Sequence, residues 1–304
     1  EHAIRFGIDA DSQPMGEAAL WMAANTLVRD WNDPDFVYEG ALNTAIDDVM
    51  GLASLILEHQ VSLDSIRAAD EKTLGELAAF SGGLNDDVRA VSRTARQRIA
   101  LLPLVERFIE TRRGEGTLSF DDQMSLAADI AMKFPDVAAI ERGKYAVVLL
   151  DEYQDTSQSQ VRLLSALFGN GHPVTAVGDP CQSIYTWRGA SAGTIGTFAK
   201  YFPKNAGHSG AELFNLSITF RNDRKILEIA NSISDQIRST SSVRVDPLRP
   251  RDTAGDGEIA YGVFETLDGE AQGIAEYFHK HWFASERIAI EEEKRTSFAV
   301  LVRK

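Results

Sequence analysis

Asp151-Glu152-Tyr153-Gln154-Asp155-Thr156 follows the apolar run from Tyr145 to Leu150, and Gly178-Asp179-Pro180-Cys181-Gln182-Ser183-Ile184-Tyr185-Thr186-Trp187-Arg188-Gly189 follows the run from Pro173 to Val177. The first run is apolar without alternation, the pattern of a strand buried on both faces of a parallel sheet, and the second reads as another strand. A helix predicted from Val161 to Phe168 separates them, so the order is strand, helix, strand, as a crossover connection requires. Each strand ends on a carboxylate, Asp151 or Asp179, at the edge where open α/β sheets place their ligand sites.

A strand that delivers Asp-Glu into a cleft supplies two things that nucleotide hydrolysis needs. Asp151 can hold Mg²⁺, and Glu152 can orient or deprotonate an attacking water. Taken alone, an acidic turn after a buried strand is common; the longer string is what gives it weight. Gln182 adds an amide that both donates and accepts, suited to sensing a terminal phosphate or its water. Beyond it, Tyr185, Trp187 and Arg188 combine two aromatic faces with a guanidinium between glycines, a mixture that stacks bases and contacts phosphate on single-stranded nucleic acid.

Working outward, residues from about Gly16 to Arg113 have helical periodicity, as in Leu42, Ile46, Val49, Ala53 and Ile56, and three or four helices are expected. Asp33-Pro34 and Ser81-Gly82-Gly83 interrupt them, and Pro103 is expected to kink or restart its helix. Arg89, Arg93 and Arg96 share one helical face, read as a solvated face, with a phosphate-tracking role as the alternative. After Gly114-Glu115-Gly116 the texture becomes α/β. Ser119 with Asp122 is expected to cap a helix carrying Met124, Leu126 and Ile130. A second α/β unit is expected from Leu213, with a strand to Ile218, a helix through Ile226, Leu227 and Ile233, a strand from Ile259 to Phe264, a helix from Ala271 to Trp282 and a strand from Phe298 to Val302. Ser239 to Arg251 reads as an exposed loop.

The 304 residues contain 44% hydrophobic and 25% charged residues, which fits two ordinary globular domains. No apolar run approaches the roughly 20 residues of a membrane span, and the first residues do not read as a signal peptide, so a cytoplasmic location is the expectation. The single cysteine, Cys181, excludes an internal disulfide, and the six scattered histidines lack the spacing of a metal site. A net charge of −14 argues against gripping nucleic acid over the whole surface and confines any such contact to a groove.

The strings Asp-Glu-x-Gln-Asp-Thr and Gly-Asp-x-x-Gln-Ser-Ile-Tyr-x-Trp-Arg-Gly-Ala resemble motifs II and III of superfamily 1 helicases of the UvrD/Rep type. In wording they look most like the actinobacterial AdnA/AdnB helicase–nuclease subunits. The resemblance implies an α/β fold, a RecA-like parallel-sheet helicase core of the P-loop NTPase class, with an all-helical inserted subdomain. It places the helical module at residues 1–115, the later part of a first RecA-like domain at 116–212 and the early part of a second at 213–304. It also implies ATP and Mg²⁺ as cofactors, with Asp151 and Glu152 at the metal, Glu152 as catalytic base and Gln182 coupling the γ-phosphate to the DNA site. Tyr185, Trp187 and Arg188 would hold single-stranded DNA. Leu216-Ser217-Ile218-Thr219-Phe220-Arg221-Asn222 resembles motif IV, so Arg221 would reach the γ-phosphate and Phe220 would stack on adenine. Thr219-Phe220 replaces the usual Asn-Tyr, which keeps the flat face and loses the hydroxyl. Phe120-Asp121-Asp122 resembles the acidic-aromatic signature before motif II. The implied partners are single-stranded DNA, junctions of single- and double-stranded DNA and a second helicase–nuclease subunit, with no membrane.

Nowhere do the 304 residues contain Gly-x-x-x-x-Gly-Lys-[Ser/Thr], and Gly143-Lys144 precedes a strand instead of opening a helix. The expectation is a central stretch of a motor, cut at both ends, that alone hydrolyses ATP negligibly and unwinds nothing. The implied activity of the parent is movement on single-stranded DNA, 3′ to 5′, in repair or recombination. The competing reading is a non-hydrolysing DNA-binding or scaffold subunit; intact Asp151, Glu152, Gln182 and Arg221 favour the motor.

Overall fold

Four helices form the first part of the chain because apolar residues return to one face of each. They are α1 (Glu17–Asp30), α2 (Leu42–His59), α3 (Leu63–Ala79) and α4 (Asp86–Gly114). The computed structural model describes residues 2–6, 14–34, 36–80, 85–185, 193–204, 210–283 and 298–302. Ile46, Val49, Ala53 and Ile56 of α2 pack with Ala24 of α1 and with Leu101, Leu104, Val105 and Phe108 of α4 in one core. Leu42, at the start of the same periodic series, is exposed. The break predicted at Asp33-Pro34 is the connection between α1 and α2, whereas 81–84, which hold Ser81-Gly82-Gly83, lie outside the described residues.

Pro103 neither ends nor restarts its helix: α4 runs unbroken for 29 residues. A proline there removes one backbone donor, but Leu101, Leu102, Leu104, Val105 and Phe108 around it are all buried, and tertiary burial outweighs a local propensity term of about 3 kcal/mol. Asn85 caps this helix, its side chain accepting from the Val88 N–H at 2.9 Å. On its flank, Arg98 makes a two-pronged pair with Asp70 of α3, at 2.7 and 2.5 Å.

The chain then enters α5 (Phe120–Lys133) and α6 (Pro135–Lys144). Ser119 and Asp122 form the expected capping box, and the same Asp122, fully buried, also receives Arg112 from the end of α4. Gln60, in the left-handed conformation that closes α2, donates to the Ser125 carbonyl and accepts from Arg162, tying α2 to the α/β part.

Strand β1 (Val148–Leu150), helix α7 (Gln158–Phe168), strand β2 (Val174–Ala176) and helix α8 (Thr194–Tyr201) complete this region. The strands are parallel, with Leu149 opposite Thr175. Val148 and Leu150 face a core of Tyr153, Val161, Phe168 and Phe202. Leu149, pointing the other way, is 76% exposed, and Val147 and Tyr145 are exposed too. The expectation of a strand buried on both faces is therefore corrected. Among the described residues the sheet has two strands, and this apolar core covers one face.

Two compact units emerge, Glu1–Asn215 with Ser234–Asp246, and Leu216–Ile233 with Pro247–Lys304. The second contains β3 (Ile218–Thr219), most of α9 (Arg224–Thr240), β4 (Arg249–Pro250) and α10 (Leu267–Phe283). The stretch read as a loop from Ser239 to Arg251 is thus partly helix and partly strand. Arg249 and Arg251 donate their N–H groups to Ser217 and Thr219, so the intervening Pro250 is not called on for a donor. Asn231 holds Leu248 from both sides, donating to its carbonyl and accepting from its N–H. The first free N–H groups of α9, on Arg224 and Lys225, find the carbonyls of Gly255 and Asp256.

The strand predicted from Leu213 shrinks to Ile218–Thr219, and no strand forms at 259–264 or 298–302. A strand needs a neighbour for its backbone groups, and none of the described residues pairs with these segments; Tyr261 and Val263 are almost fully exposed. No helix among the described residues is long and apolar enough to cross a membrane. The architecture is α/β, rich in helix, with two small parallel sheets among the described residues.

Candidate active site at the carboxyl edge of the first sheet

The parallel ladder continues past the strands: Val177 donates to the Leu150 carbonyl at 2.8 Å, and Tyr153 donates to the Val177 carbonyl at 2.9 Å. This aligns the two chain ends, so Asp151-Glu152 and Gly178-Asp179 leave the sheet side by side. Tyr153 anchors the first turn below the surface, its ring edge-on to Phe198 and Phe202. Burial, with a smaller contribution from Tyr201, pushes its phenol well above the ordinary tyrosine range, so it remains neutral and is no acid–base candidate.

Glu152 has φ 49° and ψ 39°. A left-handed conformation is uncommon outside glycine and is retained where surrounding contacts enforce it, frequently at functional sites. Here Asp151 Oδ1 accepts from the Glu152 N–H at 2.9 Å, and the turn carries both carboxylates outward, each exposed. They line a groove of about 460 Å³ with Asp155, Thr156, Gln160, Met124 and leucines of β1 and α7. Asp155 turns Oδ1 into the interior, where it has no hydrogen-bond partner among the described residues.

Across the edge, Asp179 organises the second turn. Its Oδ1 accepts from the Cys181 N–H at 2.9 Å, and its Oδ2 accepts from Gln182 Nε2 at 2.8 Å. Burial, and next the charge of Asp179, raises the Cys181 thiol, which disfavours the thiolate. Gln154 joins the two turns. It is buried, donates to Glu152 Oε2 at 2.7 Å and accepts from the Asp179 N–H at 3.0 Å. Asp151, Glu152 and Gln182 are therefore brought to one edge of one sheet. Gln154 was given no role from the sequence, although the string Asp-Glu-x-Gln-Asp-Thr holds it at a fixed position; its burial is what the sequence does not show.

The described residues contain no cluster of three or more His, Cys, Asp or Glu side chains suited to a metal. Asp151 and Glu152, two exposed carboxylates on one turn, suit Mg²⁺, which takes one or two carboxylates and completes its shell with water and phosphate oxygens.

Tyr185, exposed, lies three residues beyond Gln182. Trp187 and Arg188 lie outside the described residues. In the second unit, Phe220 is 77% exposed and Arg221 is exposed too. The loop that carries them is held by Arg251, which donates to the Phe220 carbonyl at 3.0 Å and pairs with Asp223 at 3.1 Å. Arg89, Arg93 and Arg96 line a larger, separate concavity of about 640 Å³ on the helical part, with Val37 and Glu39. It contains none of the residues expected to act on nucleotide.

Residues 43–203 match the family of the UvrD/REP helicase N-terminal domain. The chain is 32% identical over 258 residues to the exonuclease/helicase subunit RexA of Lactococcus lactis subsp. cremoris, covering 80% of this chain and 20% of that protein. It is 26% identical over 226 residues to an ATP-dependent helicase/nuclease subunit of Streptococcus thermophilus, covering 71% of this chain and 18% of the relative. With the ATP-dependent DNA helicase PcrA of Staphylococcus aureus it shares 30% identity over 164 residues, 54% of this chain and 21% of the relative. The chain thus spans about a fifth of the length of these curated relatives. Two aligned acidic turns at the end of a parallel sheet, and a match that covers both of them, place this chain in the UvrD/REP helicase family.

Proposed function

We propose that the protein carrying this chain is an ATP-dependent DNA helicase that couples ATP hydrolysis to movement along single-stranded DNA, 3′ to 5′, in repair or recombination. The observation that carries the reading is the alignment of Asp151-Glu152 with Asp179-Gln182 at one sheet edge, with Tyr185 a few residues further on. Phosphate chemistry and base contact are then linked through one short segment.

In this reading Asp151 holds Mg²⁺, with Glu152 beside it. Bound there, Mg²⁺ would supply positive charge to offset that of the phosphate oxygens. Glu152 orients and deprotonates the attacking water, and Gln182, steered by Asp179, senses the terminal phosphate. Phe220 presents a flat face to adenine, and Arg221 meets the charge that develops on the transferred phosphoryl group. The phosphate-cradling loop is not among these 304 residues, and we assign it to another part of the protein, in keeping with relatives of which the matched residues make up only about a fifth. Residues 1–115 then act as the helical subdomain, 116–212 as part of the first RecA-like domain and 213–304 as part of the second. Two of the relatives carry the words helicase/nuclease or exonuclease/helicase in their names and are called subunits, which supports a nuclease and a second subunit in partnership with this protein.

Magnesium-dependent ATP hydrolysis by the full-length protein, stimulated by single-stranded DNA, is the expected activity. Trp187→Ala is expected to weaken binding to a single-stranded oligonucleotide by roughly 1–3 kcal/mol, the value of one stacked base. Unchanged affinity, measured by fluorescence anisotropy, would count against the stacking role.

A further inference from the structure

We propose that Gln154 is a positioning residue for ATP hydrolysis. Its amide clamps the Glu152 carboxylate to the backbone of Asp179, so that the two acidic turns hold one geometry. The inference rests on the reading of Glu152 as the base.

Gln154 is 1% exposed, and a buried amide is costly unless each polar atom finds a partner. Every one does. Nε2 donates to Glu152 Oε2 at 2.7 Å and to Asp155 Oδ2 at 3.2 Å, while Oε1 accepts from the Asp179 N–H at 3.0 Å. The main-chain carbonyl of Gln154 accepts from Ser183 Oγ at 3.3 Å, beyond Gln182 on the second turn. The bonds therefore reach both sides of the edge and flank the residues assigned to chemistry.

Gly178 shows how closely the two turns are fitted. A Cβ there would come within 2.6 Å of Gln154 Oε1 and 3.1 Å of the Gln154 backbone nitrogen. A side chain at 178 would push the amide from its position. At the other end the clamp engages one oxygen of Glu152. An exposed glutamate otherwise samples several rotamers, and the amide selects among them while leaving Oε1 for a water. Misplacing a reacting group by about 1 Å costs on the order of 10²-fold in rate.

Two variants of the full-length protein test this. Gln154→Met keeps the length and removes the amide, and Gly178→Ala displaces the amide without altering it. Both are expected to lower kcat for ATP by about 10- to 100-fold while KM stays within about threefold, the pattern of an interaction lost in the transition state. Independently of turnover, the Asp179 amide is expected to exchange with deuterium about fivefold faster in both, the equivalent of one hydrogen bond. A residue that only supported the fold would lower the melting temperature and leave kcat unchanged below it. If Gln154→Met fails to fold, Gly178→Ala carries the same measurements. An active wild type whose kcat is matched within about twofold by the folded variants overturns the inference alone. A wild type without ATPase activity overturns the reading of the site and this inference with it.

Discussion

Replacing Asp122 by alanine should be among the most damaging single changes in the first unit, and the reason lies in its partners. Asp122 is 0% exposed and Arg112 3%. One carboxylate oxygen accepts from the Ser119 N–H at 3.0 Å and the Ser119 hydroxyl at 2.8 Å, and also from the Arg112 guanidinium. Arg113 approaches the other oxygen at 3.6 Å. Alanine leaves the Arg112 charge inside without its counter-charge and removes one half of the capping box. Breaking a buried pair from one side costs about 3–5 kcal/mol. The Phe108 ring, 4.3 Å from the guanidinium carbon, offsets part of this, by about 1–2 kcal/mol. The expected net loss is about 3 kcal/mol, a large part of the roughly 5–15 kcal/mol that holds an ordinary domain together. Urea unfolding of the 304-residue chain, followed by circular dichroism, should show a midpoint lowered by about 1–3 M. The paired change Asp122→Leu with Arg112→Met should be much milder, because it removes both charges together. A loss below about 1 kcal/mol for Asp122→Ala, or a double variant no better than the single one, would refute the reasoning.

Two further outcomes concern the same region. Tyr38 is pushed up to about 12 by burial and by the bond its hydroxyl donates to Asp48 at 2.6 Å. Its folded value lies above the unfolded one, so its contribution is fully present below about pH 10 and is lost as pH rises through about 12. Ultraviolet titration should show a late phenol that is missing from Tyr38→Phe, while the still later Tyr153 is retained. Pro103→Ala should stabilise the chain by up to about 3 kcal/mol, since it restores a donor and good helix propensity inside α4; a lower urea midpoint would show that the helix is shaped around the proline.

Much of the site was legible because the residues that make it are sequential. Asp151, Glu152 and Gln182 follow two apolar runs, and the parallel register of those runs puts their ends together. Ser119 and Asp122 were equally legible as a local cap, three residues apart. The additional role of Asp122 was not, because Arg112 reaches it only once α4 and α5 have packed. Gln154 was hidden for a related reason: its partners Asp179 and Ser183 are 25 and 29 residues away, and burial sets its importance. Strands in the second unit were misplaced where apolar pattern and pairing diverged. Residues 259–264 look like a strand and pair with none of the described residues, whereas Arg249-Pro250 does not look like one and pairs with Ile218-Thr219. A strand is defined by its neighbour, which a single stretch of sequence does not contain.

The central claim is that the edge bearing Asp151 and Glu152 hydrolyses nucleotide. It is tested most directly by measuring ATP turnover and ATP affinity of the full-length Glu152→Gln variant beside the wild type, with Mg²⁺ and single-stranded DNA present. The account predicts turnover lower by about 10²–10⁴-fold, the contribution of a positioned general base, with ATP still bound at near wild-type affinity. Turnover within about tenfold of the wild type would contradict it, because a general base contributes more than that.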